Sequence, residues 1–399
     1  MVSAWTIFWI SLRLGVTSFG GPIAHLGYFR DEFVNRRRWL DDETYADIVA
    51  LSQFAPGPAS SQTLYAIGLL KSGFWGGAAA WAGFTLPSAL LMLAAAYGLA
   101  WAEGDAAQSV IHGLRIVAVA VVAQALWSMA NSLCPDRTRA GLALAAAAFL
   151  IAAPSAEGQL AVIAAGAVAG ALLLKPSVSG GETRFAGAPS RAAGVIAFIL
   201  FAAIFAGSAI AARLGESAVW DVFDGFYRAG ALVFGGGHVV LPLLEEATVG
   251  AGLMGESEFL AGYGAAQAVP GPLFTFAAYL GALIPLEGWP APAVAALCLV
   301  ALFLPGILLM YAGLPFWGAL RGKRGARAVL NGVNAAVVGL LGAALYDPIA
   351  TSAIGKPADL TLAIAAFGAL TVLKLPVLVV VAATVAGAAA PTLIGWSAG

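Results

Sequence analysis

Charge is what this chain has least of. Only 10% of its 399 residues are Asp, Glu, Lys or Arg, with 20 basic against 21 acidic. So thin and balanced a set supplies no basic face for phosphates, which excludes nucleic acid as a partner. Cysteine is scarce as well. Cys134 and Cys298 match no partner spacing, and each reads as a free thiol rather than half of a bridge or a metal ligand. There is no Gly-x-x-x-x-Gly-Lys-Ser/Thr phosphate loop, which argues against an ATPase. No His-Glu-x-x-His, no Gly-x-Ser-x-Gly and no His/Cys cluster offers a metal site or covalent catalysis. The chain is therefore expected to carry no cofactor and no metal and not to be an enzyme. Energy for uphill work would have to come from an ion or voltage gradient. A signal peptide is not expected either, because the N-terminal apolar run lacks a basic leader and holds Arg13 in its middle.

Apolar residues are what remains. They make up 61% of the chain, and the mean hydropathy is +0.89, far outside the range of soluble domains. Several runs reach the roughly 20 residues that cross a bilayer as helix. The 49 glycines suit helices packed closely in lipid. The expectation is an all-α integral membrane protein with about 10–13 membrane segments. Six apolar segments fall at 4–28, 44–70, 73–101, 107–131, 138–153 and 157–174. Six more fall at 223–243, 258–285, 291–313, 327–346, 358–373 and 375–396. A polar Pro/Gly/Ser-rich stretch at 175–191 and one unmatched segment at 192–213 separate the two sets.

The two sets repeat. Phe19-Gly20-Gly21, Gln53-Phe54-Ala55-Pro56-Gly57-Pro58 and Leu86-Pro87-Ser88 recur about 215 residues later. The second copies are Phe234-Gly235-Gly236, Gln267-Ala268-Val269-Pro270-Gly271-Pro272 and Leu304-Pro305-Gly306. Arg13 and Arg228 each lie six residues before a Phe-Gly-Gly, and 113–127 matches 332–346. The organisation expected is a first repeat over 1–174, a linker with an unpaired helix over 175–222, and a second repeat over 223–399. An odd helix between copies that each cross an even number of times turns the second copy over. Two inverted repeats with Gly/Pro-broken helices are the architecture of a secondary transporter. The basic residues 137, 139, 175, 184, 191, 321, 323, 324 and 327 collect on one side if the first two segments of each half pair or re-enter. The positive-inside rule then makes that side, and the N-terminus, cytoplasmic. Arg30 and Arg36-Arg37-Arg38 lie inside only if segment 4–28 re-enters, the reading preferred. The C-terminus is then expected outside.

Pro56-Gly57-Pro58 cannot continue a helix, because proline lacks an N–H and clashes with the preceding turn. In lipid the freed backbone must be buried in protein or line a wet cavity. Ser60, Ser61 and Gln62 would follow in the first turns of a new helix, whose free N–H groups suit an anion. Pro270-Gly271-Pro272 keeps the break but is followed by Leu273, Phe274 and Thr275. Duplication favours a binding role over a mere kink. The glycines at 20, 21, 235 and 236 permit either close approach or simple helix contact. Gln53 and Gln267 could bind a ligand or satisfy the broken backbone. For Arg13 and Arg228, anion contact is preferred to snorkelling, since guanidinium stays charged and offers a fork to oxyanions. His25 and His238 could relay protons, although a hydrogen-bonded structural role weighs more.

The run from Phe19 to Arg30, then Glu32-Phe33-Val34, Arg36-Arg37-Arg38-Trp39 and 53–62, closely resembles the chromate transporter family. So do Gly83–Leu90, Phe234-Gly-Gly-Gly-His238 and the second Pro-Gly-Pro. The resemblance covers nearly the whole chain and corresponds to long, two-domain members. It implies an inner-membrane protein that exports chromate, draws on proton-motive force or membrane potential, and confers chromate resistance. It places the family's motif positions on Arg13, Gly20, Gly21, Gly235, Gly236, both Pro-Gly-Pro breaks and Arg228. The residues alone reach only a small oxyanion, so sulfate stays open as the alternative. Chromate or a related oxyanion and the lipid bilayer are the partners expected, with a homo-oligomer left open.

Overall fold

The structure, a computed structural model, describes residues 2–393 apart from 20, 101–104, 176–184, 216, 235–236 and 322. Among the described residues it is helical and contains no strand. In the first half α1 (Ala4–Thr17), α2 (Gly21–Arg30), α3 (Asp42–Phe54), α4 (Ala59–Ala100), α5 (Asp105–Leu133), α6 (Arg137–Ala152) and α7 (Ala156–Leu173) follow in order. The lone α8 (Arg191–Leu214) comes next. The second half repeats the order with α9 (Ala218–Ala231), α10 (Val240–Glu245), α11 (Glu256–Ala268), α12 (Phe276–Leu283) and α13 (Ala291–Gly313). After the short α14 (Trp317–Arg321), α15 (Arg324–Ala344), the one-turn α16 (Thr351–Ala353), α17 (Pro357–Thr371) and α18 (Val377–Leu393) complete it. Even the π-turns match: Asp31–Arg36 follows α2, and Glu246–Gly250 follows α10.

Local chemistry sets the boundaries. Ser3, Asp41, Asp136, Ser155, Ser190 and Ser217 each accept a backbone N–H at a helix start. Gly215, with φ +68°, closes α8 in the left-handed conformation. α4 is two helices, because Ser72 and Gly73 leave helical geometry between them. That break falls where the apolar pattern parts 44–70 from 73–101.

Four segments follow the re-entrant alternative, preferred for 4–28 and left open for the others. Segments 4–28, 44–70, 223–243 and 258–285 are each two short helices folded back on themselves, not one helix. Residues 13 and 32 would stand about 28 Å apart along a straight helix, yet Arg13 and Glu32 are 2.5 Å apart. Ser52 and Thr63 share a 2.8 Å hydrogen bond across the first Pro-Gly-Pro. Tyr279 Oη donates to the Glu258 carbonyl at 3.0 Å, closing α12 onto α11. Gly225 faces Ala247, closing α9 onto the turn after α10. The cause is the pair of breaks: proline in one, clustered glycine in the other. α1, at 14 residues, is about 21 Å long and too short for a 30 Å hydrocarbon core.

Five helical stretches are long and apolar enough to cross a membrane: 59–98, 108–133, 191–214, 291–320 and 324–353. Four shorter apolar helices join them at 157–173, 273–283, 357–371 and 377–390. This is a multi-pass membrane protein. The two halves also exchange helices. α15 packs along α6 and α7, while its counterpart α5 packs along α17 and α18. Small residues allow the approach: Gly332 meets Gly166 and Gly170, Gly339 meets Ala143, and Gly113 meets Val385.

Candidate functional site

The hairpin tips carry the motifs, and they meet. Gly57 N–H donates to the Val233 carbonyl at 2.8 Å, and Gly271 N–H donates to the Ser18 carbonyl at 2.9 Å. Gly57 and Gly271 occupy matching places, and so do Ser18 and Val233. Each Pro-Gly-Pro tip is therefore bonded to the residue just before the Phe-Gly-Gly of the other half. The same exchange holds beneath the tips. A Cβ on Gly57 would stand 2.9 Å from Cα of Gly306, and one on Gly271 would stand 2.8 Å from Oγ of Ser88. Gly306 and Ser88 are the matched residues after Pro305 and Pro87. The latter two sit inside α13 and α4, where each removes an intrahelical hydrogen bond. Gly237 lies against Pro22, which brings the two Phe-Gly-Gly tips together.

Only glycine serves at the tips. Gly57 has φ +127° and Gly271 φ +95°, values that side-chain-bearing residues almost never adopt. Proline on each side then fixes the approach. Pro56 and Gly57 are half-buried, and Pro58, Pro270, Gly271 and Pro272 are buried. Gly21, with φ +75°, opens α2. Gly20, Gly235 and Gly236 lie outside the described residues.

The two copies present different chemistry. Ser60, Ser61 and Gln62 are all buried at the start of α4. Gln62 Nε2 donates to the Pro56 carbonyl at 2.9 Å and to the Gly306 carbonyl at 3.0 Å, tying the tip to the other half. Its Oε1, Ser61 Oγ, Ser18 Oγ and Gln267 Nε2 are buried with no hydrogen-bond partner among the described residues. Such groups cost about 1–3 kcal/mol each when left unmatched; these four belong to residues within or beside the tip motifs, while Ser11, Trp81, Thr85 and Arg115 hold further unmatched atoms elsewhere. Thr275 differs, because its hydroxyl donates to the Pro272 carbonyl at 2.8 Å and caps its own turn. Gln53 is exposed on α3, away from this cluster of buried groups.

Neither arginine stands alone. Arg13 is half-exposed and reaches Glu32, which also receives Arg36 at 3.0 Å and Arg37 at 2.6 Å. Arg228 pairs with Asp224 at 2.7 Å and lies 4.6 Å over the Phe205 ring of α8. Asp224 accepts a second bond from Ser208 at 2.6 Å. Neither acid was assigned a role from the sequence. Asp224 stands four residues before Arg228, a spacing that marks helix pairs. Glu32 stands four residues before Arg36, the same spacing, but its contacts with Arg13 and Arg37 carry no such signal. The histidines hold structure at the tips. His25 is buried beside Phe29 and Phe84 with Nε2 3.2 Å from the Ser18 carbonyl. His238 Nδ1 is 2.6 Å from Tyr263 Oη. Among the described residues no group of His, Cys, Asp and Glu could hold a metal ion.

The duplicated architecture has a counterpart among known proteins. The family model described as "Chromate transporter" matches twice, over residues 5–171 and 220–389. The chain belongs to the chromate transporter family. A chromate transport protein of Pseudomonas aeruginosa is 30% identical over 363 residues, covering 90% of this chain and 84% of that protein. A probable chromate transport protein of Synechococcus elongatus is 28% identical, covering 84% and 81%. A chromate transport protein of Cupriavidus metallidurans is 27% identical, covering 88% and 83%. No solved structure matches the chain. Proteins of the chromate transporter family are transporters and not enzymes.

Proposed function

We propose that the chain is a secondary active exporter of chromate in the inner membrane, with its substrate site where the four hairpin tips meet. The observation that carries this reading is the reciprocal pairing of Gly57 with Val233 and Gly271 with Ser18. Reciprocal contacts mean a pseudo-two-fold relation between the halves. The spare helix α8 between them supports an inverted relation, the arrangement in which broken helices of a transporter converge near mid-membrane. Unmatched buried groups at Ser18, Ser61, Gln62 and Gln267 then have a polar ligand as their partner in the working cycle. The first-half tip supplies most of these groups, as its Ser60-Ser61-Gln62 suggests.

The cycle needs a driving force from outside the chain, and proton-motive force or membrane potential supplies it. His25 and His238 remain the candidates for a proton relay, each one hydrogen bond from a tip or a hairpin wall. Resistance to chromate follows from export. The alternative cargo is sulfate, a tetrahedral dianion of similar size that the same donors would serve.

Uptake of labelled chromate into everted vesicles tests the reading. Uptake should require the chain, and collapsing either the proton gradient or the voltage should abolish it. Sulfate that displaces chromate at equal concentration would move the assignment to a general oxyanion transporter. Arg13→Ala and Arg228→Ala should each abolish uptake with membrane insertion intact. Cysteine-accessibility labelling should place residues near positions 2 and 390 on opposite faces; one shared face would end the inverted arrangement.

A further inference from the structure

Outside the tips, one cluster of charge joins Arg13 to three residues, Glu32, Arg36 and Arg37, that have no role in the site described. Glu32 is 4% exposed and accepts from three guanidinium groups, while Arg13, Arg36 and Arg37 are 47%, 58% and 31% exposed. Both carboxylate oxygens are used: Oε2 by Arg13 and Arg36, Oε1 by Arg37. The carboxylate lies beneath, and the cations face outward. One negative charge against three positive ones leaves an excess of two. Each guanidinium carries five N–H donors and gives one of them to Glu32. Burial alone would push the Glu32 carboxyl up, but the Arg37 hydrogen bond and the charges of Arg13 and Arg37 hold it below its ordinary value.

The backbone is shaped to present these cations. The π-turn Asp31–Arg36 is closed by Arg37 N–H on the Glu32 carbonyl and by Trp39 N–H on the Phe33 carbonyl. Arg38 then adopts φ +53°, a left-handed conformation uncommon for a residue with a side chain. Arg37 lies 5.6 Å over the Trp39 ring. At the matching turn of the second half, Glu246–Gly250, no arginine occurs and Glu245 and Glu246 stand instead.

We infer that Arg13, Arg36 and Arg37 form an outer receiving site for the transported oxyanion, with Glu32 as its resident stand-in. The inference rests on the reading of the chain as an oxyanion transporter. An arriving tetrahedral dianion carries the two charges that the cluster lacks. It offers four oxygens to a set of planar forks built for oxyanions. Binding it requires no new basic group, only that the exposed guanidinium edges turn from Glu32 toward the ligand. The sequence reading places this site on the cytoplasmic side, where a substrate for export is collected.

Removing the stand-in tests the idea. In full-length protein reconstituted into neutral lipid nanodiscs, Glu32→Gln should bind labelled chromate at least about tenfold more tightly than the unaltered chain. Arg36→Gln/Arg37→Gln should erase that gain. A folded, monodisperse Glu32→Gln protein with unchanged or weaker binding overturns the inference and leaves Glu32 a structural staple. Should Glu32→Gln fail to fold, the exposed Arg36→Gln/Arg37→Gln pair decides alone. Its KM for chromate in everted vesicles should rise several-fold at low ionic strength and lose its salt dependence; an unchanged KM overturns the inference. Ser61→Ala/Gln62→Leu separates this site from the tips. It should lose transport yet keep the tighter binding that Glu32→Gln confers. If it transports normally while Glu32→Gln still tightens binding, the tip assignment fails and the outer site stands.

Discussion

The two halves use the same elements in the same order, yet their hairpins are lined differently and place different charged residues at the matching turn. The first half bears Arg13, Arg36 and Arg37 around Glu32, and the second bears Glu245, Glu246 and Glu256 at the corresponding turn and the helix after it. Ser60-Ser61-Gln62 follows the first Pro-Gly-Pro, while Leu273-Phe274-Thr275 follows the second. What the halves share is backbone: the breaks, the positive-φ glycines and the reciprocal bonds. What they do not share is side-chain chemistry. Duplication has thus preserved the frame that brings the tips together, while the side chains around it have diverged.

The largest expected effects break the shared frame. Gly57→Ala forces a Cβ at φ +127° and within 2.9 Å of Cα of Gly306. Backbone strain alone should cost about 2 kcal/mol, and the tip should withdraw from Val233. Chromate uptake should fall more than tenfold, and thermal melting of the purified protein should drop. Gly271→Ala meets Ser88 Oγ, a side chain, at 2.8 Å. Ser88→Gly in that background should recover part of the melting temperature; at Gly57 the Gln62 amide at 2.8 Å can be trimmed but the Gly306 backbone at 2.9 Å cannot, so Gln62→Ala should recover less. Equal rescue in both halves, or none in either, would sink this difference.

A smaller effect separates the two arginines. Arg228→Ala leaves Asp224, 15% exposed, with only the Ser208 hydroxyl. Stranding a mostly buried carboxylate should cost about 2 kcal/mol or more. Asp224→Asn in the same chain should restore much of it. Arg13→Ala leaves Glu32 with Arg36 and Arg37, so its melting temperature should move far less. Equal loss of stability in the two variants would show that the clamp around Glu32 is one unit rather than three separable contacts.

Much of the frame was legible because proline and glycine act locally. The Pro-Gly-Pro breaks, the division near Ser72 and Gly73, and the lone α8 follow from residues that cannot continue a helix, or from apolar runs of the right length. The fold-back was preferred for 4–28 from its charged loop and stayed open for the other three segments. Nothing in 44–70 says whether α4 continues α3 or returns beside it; Ser52 meeting Thr63 decides that. The exchange of tips is less legible still, since Gly57 and Val233 stand far apart in sequence and the bond uses backbone atoms that every residue has. Leu86-Pro87-Ser88 and Leu304-Pro305-Gly306 were visible as repeats, but their task as seats for the opposite tips required the packing. Asp224 was within reach of helical spacing, four residues from Arg228. Glu32 was likewise within helical spacing of Arg36, but its contacts with Arg13 and Arg37 required the packing.

The smallest effect reads the acidic mouth through pH. Glu245 lies beyond the apolar run 223–243. Burial first, then Glu246, Glu256 and Asp347, push its carboxyl from 4.5 up to about 7. Burial and like charge both oppose ionisation in the folded chain, whereas the unfolded chain ionises freely. The folded state therefore holds a proton that the unfolded state has lost, and stability falls as pH rises from about 4.5 to about 7. Above that window the loss is complete. Glu245→Gln should flatten the melting temperature across this interval and raise it at pH 8, with little change at pH 4.5. The first half offers the control, because Glu32 is shifted the other way and contributes the opposite slope at lower pH. An unchanged slope in Glu245→Gln would assign the pH response to another carboxyl and leave the two mouths alike in this respect.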